Sequence, residues 1–390
     1  MAKKNQRKKK SIYQKSRYYQ QKRKRFLLIC GILLPLLLLL LVIFAVRSCS
    51  HRTPSTQPAP KEADTQTAVS DKEDKKEADT VKEPISLTVS VVGDCTLGTD
   101  ESFDFSTSLN AYFDSYGKDY FLQNVKDIFS KDDLTIANME GTLTELDTRE
   151  EKTFAFKAPP SFAGILSSGS VEAVNMANNH SHDYGDQSYA DTLAALDQEK
   201  IVHFGYEETA VMEIQGIKVG LVGIYELKDH LERTQQVKDN IAKVKKEGAQ
   251  LVIVIFHWGN EKETVPDSNQ MSLGRLAIDE GADLVCGHHP HVLQGIETYK
   301  GKNIVYSLGN FCFGGNSYPS DMDSMIFQQT FTIDENGVKE DNVTNVIPCS
   351  ISSDYGYNNY QPTPATGDEK IRIQNKIDER SSWIPASGQN

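Results

Sequence analysis

Residues 251–261 read LVIVIFHWGNE: an unbroken apolar run of six, then His257, Trp258 and Gly259. Six residues is strand length, and a strand apolar on both faces belongs to a sheet covered on both sides. The imidazole stands where that strand leaves the core. The pattern recurs along the chain. Residues 85–92 alternate, turn fully apolar and end at Gly93-Asp94, and residues 134–137 lead into Asn138-Met139-Glu140. Residues 171–174 lead towards Asn178-Asn179-His180, residues 283–286 into Gly287-His288-His289-Pro290-His291, and residues 304–306 into Ser307-Leu308-Gly309-Asn310. Helical patterns at 186–199 and 232–246 lie between them, while 325–333 and 338–347 read as antiparallel strands. Such alternation predicts an α/β fold with buried strands.

In α/β sheets a ligand site lies beyond the carboxyl ends of the strands. Five predicted ends deliver Asp94, Glu140, Asn179 with His180, His257, and His289 with His291. Six of the nine histidines fall in three short stretches, 180–182, 257 and 288–291, whereas His203 and His230, together with His182, read as surface or packing residues. Nitrogen and oxygen donors without thiolate suit Mn, Fe or Zn. Roughly seven donors exceed the needs of one tetrahedral ion, and two ions about 3.5–4 Å apart with a bridging ligand would use them all. A neighbouring imidazole then serves to protonate a leaving group.

The chain has 390 residues, of which 38% are apolar, enough for a sizeable core and against wholesale disorder. Its net charge of −12 hides an asymmetry: residues 1–25 hold 12 Lys and Arg and no acid, leaving 30 basic against 54 acidic residues. That acidic bulk argues against nucleic acid as a partner. Residues 26–46, FLLICGILLPLLLLLLVIFAV, carry no charge over 21 residues, roughly 31 Å as a helix, which is bilayer thickness. The run is longer than a signal-peptide core and lacks a small-x-small cleavage site. The basic excess before it places the N-terminus in the cytoplasm. The expected organisation is a basic cytoplasmic arm (1–25), one transmembrane helix (26–46), a disordered stalk (47–84) with KEADT twice, a folded extracellular domain (85–351) and a polar C-terminal tail (352–390). Trp383 is the one tail residue suggesting docking. Cys95, Cys286, Cys312 and Cys349 fall in the outer part, where disulfides are permitted; three pairings are open, with thiolate ligation as the rival use.

At these residues the chain resembles a family. GD at 93–94, ANMEGTLT at 137–144, NNHSHDYG at 178–185, HWGNE at 257–261, GHHPHVLQGIE at 287–297 and YSLGNF at 306–311 resemble the bacterial capsule synthesis CapA family, associated with poly-γ-glutamate. That family is related to calcineurin-like metallophosphoesterases. The resemblance is collinear over roughly 87–350 and implies a two-sheet α/β/β/α sandwich. It further implies Asp94, Glu140, Asn179, His257, His289 and His291 as the shell of a divalent transition metal, one or two ions, with His180 as the acid. His288 is an alternative to His289, because GHHPH aligns with the phosphoesterase GHxH in two registers. The phosphoesterase D-x-H becomes Asp94-Cys95-Thr96, so one imidazole is missing, and the acid of GDxxD arrives as Glu140. Asp183 and Glu261 fit the CapA pattern, either orienting imidazoles in catalysis or capping turns. The implied partners are the cell membrane and the capsule or poly-γ-glutamate synthesis machinery. Two other functions stand beside this one: a phosphohydrolase of cell-envelope phosphoesters, and a non-catalytic polymer-binding or assembly subunit. An acidic domain is a poor electrostatic sink for polyglutamate, so tight polymer binding needs a local basic groove or a bridging cation.

Overall fold

In the computed structural model, which describes residues 83–385, the strand Ile85–Thr96 occupies the middle of the larger of the two main sheets, beside which Thr142–Leu143 and Lys157–Ala158 form a third, two-stranded one. Its alternation sorts its side chains. Leu87, Val89 and Val91 enter one core, while Thr88 meets Thr330 at 2.9 Å and Ser90 donates to Asp132. Past Val91 the register with the neighbouring strand shifts, and Gly93 makes that possible. A Cβ there would stand 2.2 Å from the carbonyl oxygen of Gly309, a contact only glycine avoids. The close approach carries Asp94 inward.

Across the larger sheet the strands run Thr363–Pro364, Val343–Ser350, Asp323–Asp334, Ile85–Thr96, Leu134–Met139, Ala173–Asn175 and Val202–Phe204. From Ile85–Thr96 onward the pairing is parallel; on the other side it is antiparallel. The smaller sheet runs Ile296–Tyr299, Lys302–Val305, Leu284–His288, Leu251–His257, Ile217–Tyr225 and Ala210–Ile214. Its inner pairings are parallel, and only its two edge strands pair antiparallel.

Val91, Ile136 and Phe327 of one sheet meet Leu221, Ile253 and Val305 of the other in a shared apolar cluster. On the outer face of the larger sheet lie the helices Ala163–Ser168 and Asp186–Gln198, burying Ile165, Leu166 and Leu196. The helices Thr234–Lys246 and Ser268–Asp279 cover the smaller sheet through Val237, Ile241, Val244 and Leu273. This is the expected layering of helices, sheet, sheet, helices. It explains why the central strands read as continuous apolar runs.

The folded part does not stop at Ile351. Tyr360 is buried in the helix-side core, and Gly367–Ser382 forms a helix whose Ile373 and Ile377 enter the core between the sheets. Arg372 grips Asp323 through two bonds of 2.6 and 2.7 Å. The segment reads as a polar tail because only one narrow stripe of this helix is buried. Trp383, by contrast, is 44% exposed. The four cysteines, whose pairing the sequence leaves open, are all free and buried, with no disulfide among them. Burial pushes the Cys95 and Cys349 thiols up to about 12, and among the described residues no cysteine belongs to a candidate donor group. The expected cytoplasmic arm, membrane helix and nearly all of the stalk lie outside the described residues. Among the described residues no helix is long and apolar enough to cross a membrane.

Candidate metal centre

The strand ends of both sheets empty into one place. Asp94 arrives through the Gly93 irregularity, and Glu140 follows directly on Leu134–Met139. Asn178 shapes the next turn: its Oδ1 accepts from the His180 backbone N–H at 3.0 Å and its Nδ2 donates to the Met139 carbonyl at 2.9 Å. That leaves Asn179 and His180 turned out of the core. His257 is the last residue of its strand. After Leu284–His288 the chain passes through His289 (φ 94°) and His291 (φ 56°), both in the left-handed region that costs a non-glycine residue about 1–3 kcal/mol. This strained turn brings the rings of His289 and His291 to 5.5 Å from each other and His289 to 4.8 Å from His257.

The donor atoms form two groups that share one residue. Glu140, His257 and His289 make one, and Asp94, Glu140 and His291 make the other. Glu140 Oε1 lies 3.8 Å from His257 Nε2 and 3.9 Å from His291 Nε2. Asn179 Oδ1 stands 2.7 Å from His257 Nε2, adjoining the first group. Buried polar atoms are normally paired, yet Glu140 Oε1 and His289 Nδ1 have no hydrogen-bond partner. An unpaired carboxylate oxygen and an unpaired imidazole nitrogen on two residues of one donor group fit a cation held there.

Not every expected residue joins. His288 turns away: its Nε2 bonds the Val92 carbonyl at 2.9 Å, and it belongs to neither donor group. Of the GHHPH histidines, the candidate donor groups contain His289 and His291. Thr96, where the phosphoesterase pattern has histidine, donates to Glu140 Oε2 at 3.3 Å. Asp183 is fully buried and holds His180, with Oδ2 2.8 Å from Nδ1. It also pairs with Lys152 at 2.6 Å and accepts the Phe156 N–H at 2.6 Å. Glu261 is exposed, at the rim of a cavity of about 380 Å3 that His180, His291 and Asn310 also line. His182, His203 and His230 lie in neither donor group.

Sequence reasoning missed an amide relay beneath the site. Asn138 Nδ2 bonds Asp94 Oδ1 at 2.8 Å and lies 3.3 Å from His257 Nδ1, while Asn175 Nδ2 donates to Asn138 Oδ1 at 2.9 Å. Both asparagines sit at strand ends, which was the available signal. Asn310, 2.9 Å from His291 Nδ1, carried the same signal. Lys152 gave none, since it lies in a loop far from any strand end.

Charge in the pocket is uneven. Burial pushes the Asp94 carboxyl up, but the hydrogen bond from His291 and the imidazole charges outweigh it and hold Asp94 well below the usual range. Burial and the Asp94 charge raise Glu140 to about 8. Burial would lower His291, yet Glu140 and Asp94 raise it to about 10. Burial and the His291 charge push His289 down to about 3, and burial holds His257 well below its ordinary value. Two imidazoles are therefore neutral at physiological pH, the form that ligates a metal.

The family model described as bacterial capsule synthesis protein PGA_cap matches residues 88–315, a span containing all the donors above. The capsule biosynthesis protein CapA of Bacillus anthracis is 26% identical over 332 residues, covering 77% of this chain and 75% of the relative. The PGA biosynthesis protein CapA of Bacillus subtilis is 29% identical over 248 residues, covering 58% of this chain and 63% of the relative. Among solved structures, a hypothetical protein from Thermus thermophilus aligns over 67% of this chain and 98% of its own, with 15% identity and a TM-score of 0.41. With more than half of its length matched by that one family model, the chain belongs to the bacterial capsule synthesis protein PGA_cap family.

Proposed function

We propose that this protein acts at the outer face of the cell membrane in the synthesis or export of a capsule polymer of the poly-γ-glutamate type, through a metallophosphoesterase-like hydrolytic centre. The role follows the names that the two Bacillus relatives carry. The location follows the basic arm and the uncharged run at 26–46. The centre rests on one observation: Glu140 Oε1 is buried and unpaired between His257 and His291.

Glu140, Asn179, His257 and His289 would hold a divalent ion such as Mn, Fe or Zn. Asp94, Glu140 and His291 offer a second, poorer subsite, since Thr96 supplies no imidazole there. A divalent ion so held supplies Lewis-acid polarisation of a phosphoryl oxygen and a more acidic water. Asp183 occupies His180 Nδ1 and favours the doubly protonated ring, and it is this form that could give a proton from Nε2 to a departing oxygen. Lys152 holds the same carboxylate from its other side and keeps this pair in place.

The test is metal analysis of the full-length chain, together with deletion in the source organism. We expect close to one equivalent of transition metal, and loss of γ-linked glutamate from the cell surface on deletion. Less than a tenth of an equivalent after careful purification removes the centre. An unchanged surface polymer with altered envelope phosphate moves the role to phosphoester turnover.

A further inference from the structure

Asn179 also lines two cavities that the centre described above does not use, of about 560 and 620 Å3. They share Asn179, His182, Tyr225 and Lys228. Tyr225 is the last residue of its strand and pairs in register with His257. Side chains at paired positions leave the same face of a sheet, and the two ring centroids are 6.3 Å apart.

Charge is divided between the shared residues and the two flanks. The Tyr225 hydroxyl has no hydrogen-bond partner among the described residues, and burial pushes it up to about 12, so it stays a neutral donor. Lys228 is exposed and has neither an ion pair nor a hydrogen bond among the described residues. The other cations are occupied: Lys152 by Asp183 and the Asn179 carbonyl, both at 2.6 Å, and Arg233 by Asp229. Burial lowers His182, which adds no charge near neutral pH. Acids stand on both sides, Glu207 and Glu208 in one cavity and Glu150, Glu151 and Asp186 in the other. Among the described residues the Glu207 carboxylate meets only the Gln236 amide, at 3.4 Å.

These flanks repel a run of carboxylates, and Lys228 repels a lone ammonium. A carboxylate and an ammonium on one carbon meet both demands: Tyr225 and Lys228 take the first, and an acidic flank takes the second. Glu207 and Glu208 share their cavity with Tyr189 and Tyr206, whose rings meet at 70° with centroids 6.2 Å apart. Aromatic rings add to the hold of carboxylates on an ammonium. An ion at the metal centre would add its charge beside Asn179, on the carboxylate's side. In a γ-linked glutamate chain every unit has an α-carboxylate, but only the unit at the amino end has a free α-ammonium.

We propose that Tyr225, Lys228, Glu207 and Glu208 capture the α-amino-acid head at the amino end of a γ-glutamate chain, so that the protein recognises the polymer's end and not its interior. The inference rests on the polymer type proposed above; that reading is tested on cells, and this one on the purified chain.

The experiment is isothermal titration of the full-length chain with γ-linked hexamers of L-glutamate and of D-glutamate, each with a free and with an acetylated amino end. Free L- and D-glutamate are the further probes, and every titration is repeated after chelator treatment. At least one free-ended hexamer should bind about tenfold more tightly than its acetylated twin, with and without metal. Lys228→Ala, and the double variant Glu207→Gln with Glu208→Gln, should each weaken it by about tenfold, and Tyr225→Phe by about fivefold. Equal binding of free and acetylated hexamers overturns the inference, as does absence of binding by both free-ended hexamers. A preference that vanishes with the metal assigns the amino group to the ion and overturns it as well. Free glutamate binding as tightly as the hexamer assigns the head to a monomer and overturns the polymer's part. Unchanged affinity in a Lys228→Ala variant that melts like the parent also overturns it. End preference in a chain whose deletion leaves surface γ-glutamate unchanged supports this site while removing the role proposed above.

Discussion

Asp94 Oδ2 lies 3.3 Å from His291 Nδ1, a contact that joins the strand end of one sheet to the turn beyond a strand of the other. With Glu140 it raises His291 to about 10, against the opposing effect of burial. His291 is therefore protonated in the metal-free protein at neutral pH, and an ion entering the subsite of Asp94, Glu140 and His291 must displace that proton. Metal affinity should rise with pH from 6 to 8, by about tenfold per unit for each proton released. Competition titrations at three pH values measure the slope, and a flat profile would exclude His291 as a ligand.

The two neighbouring histidines of GHHPH should separate cleanly. His289→Ala should lose most of its bound metal. His288→Ala should keep the metal and instead lose stability, by about 1–3 kcal/mol, because the Val92 carbonyl loses its partner. Metal analysis and denaturant melts of both variants decide the matter. The opposite pattern would assign the ligand to His288.

Asp183 acts through His180. Asp183→Asn should leave metal content near that of the parent while reducing turnover of an aryl phosphodiester by about a hundredfold. The pH–rate profile should change shape as well, since the carboxylate that favours the protonated ring is gone. A variant with parental rates and an unchanged profile would reduce Asp183 to a turn-holding residue.

The C-terminal helix is part of the domain. Ile377→Ala should cost about 2–5 kcal/mol, the range for emptying a buried aliphatic site. Chemical denaturation measures it. A change below about half a kcal/mol, as for a surface site, would return this segment to the status of a tail.

Glu172 gives a stability signature away from the centre. Burial raises its carboxyl to about 7, with Asp132, itself raised to about 6, adding repulsion. A raised folded-state value means that its contribution is complete below the unfolded value near 4. That contribution is lost as pH climbs through 7. Glu172→Gln, which keeps an acceptor for the Thr135 N–H, should therefore raise Tm at pH 8 and leave it almost unchanged below pH 4. Equal shifts at both values would refute the titration.

The sequence determined the class of fold by itself, and it named every residue of the two candidate donor groups. Runs such as LVIVIF betray burial on both faces, and the polar residue that ends each run must lie at the sheet's edge. Chain geometry leaves it nowhere else to go. Tertiary structure alone decided which residues share a space. His288 and His289 are indistinguishable as letters, and only the left-handed turn after Leu284–His288 points one into the interior and the other at Glu140. Asn138 and Asn175 stood at visible strand ends, but their relay depends on neighbouring strands being parallel and in register. The helix Gly367–Ser382 escaped notice because two isoleucines on a charged helix are a weak periodic signal. Their burial depends on a core assembled by strands distant in the chain. Local pattern reports how a residue meets solvent or core, whereas convergence is a property of the packed sheets.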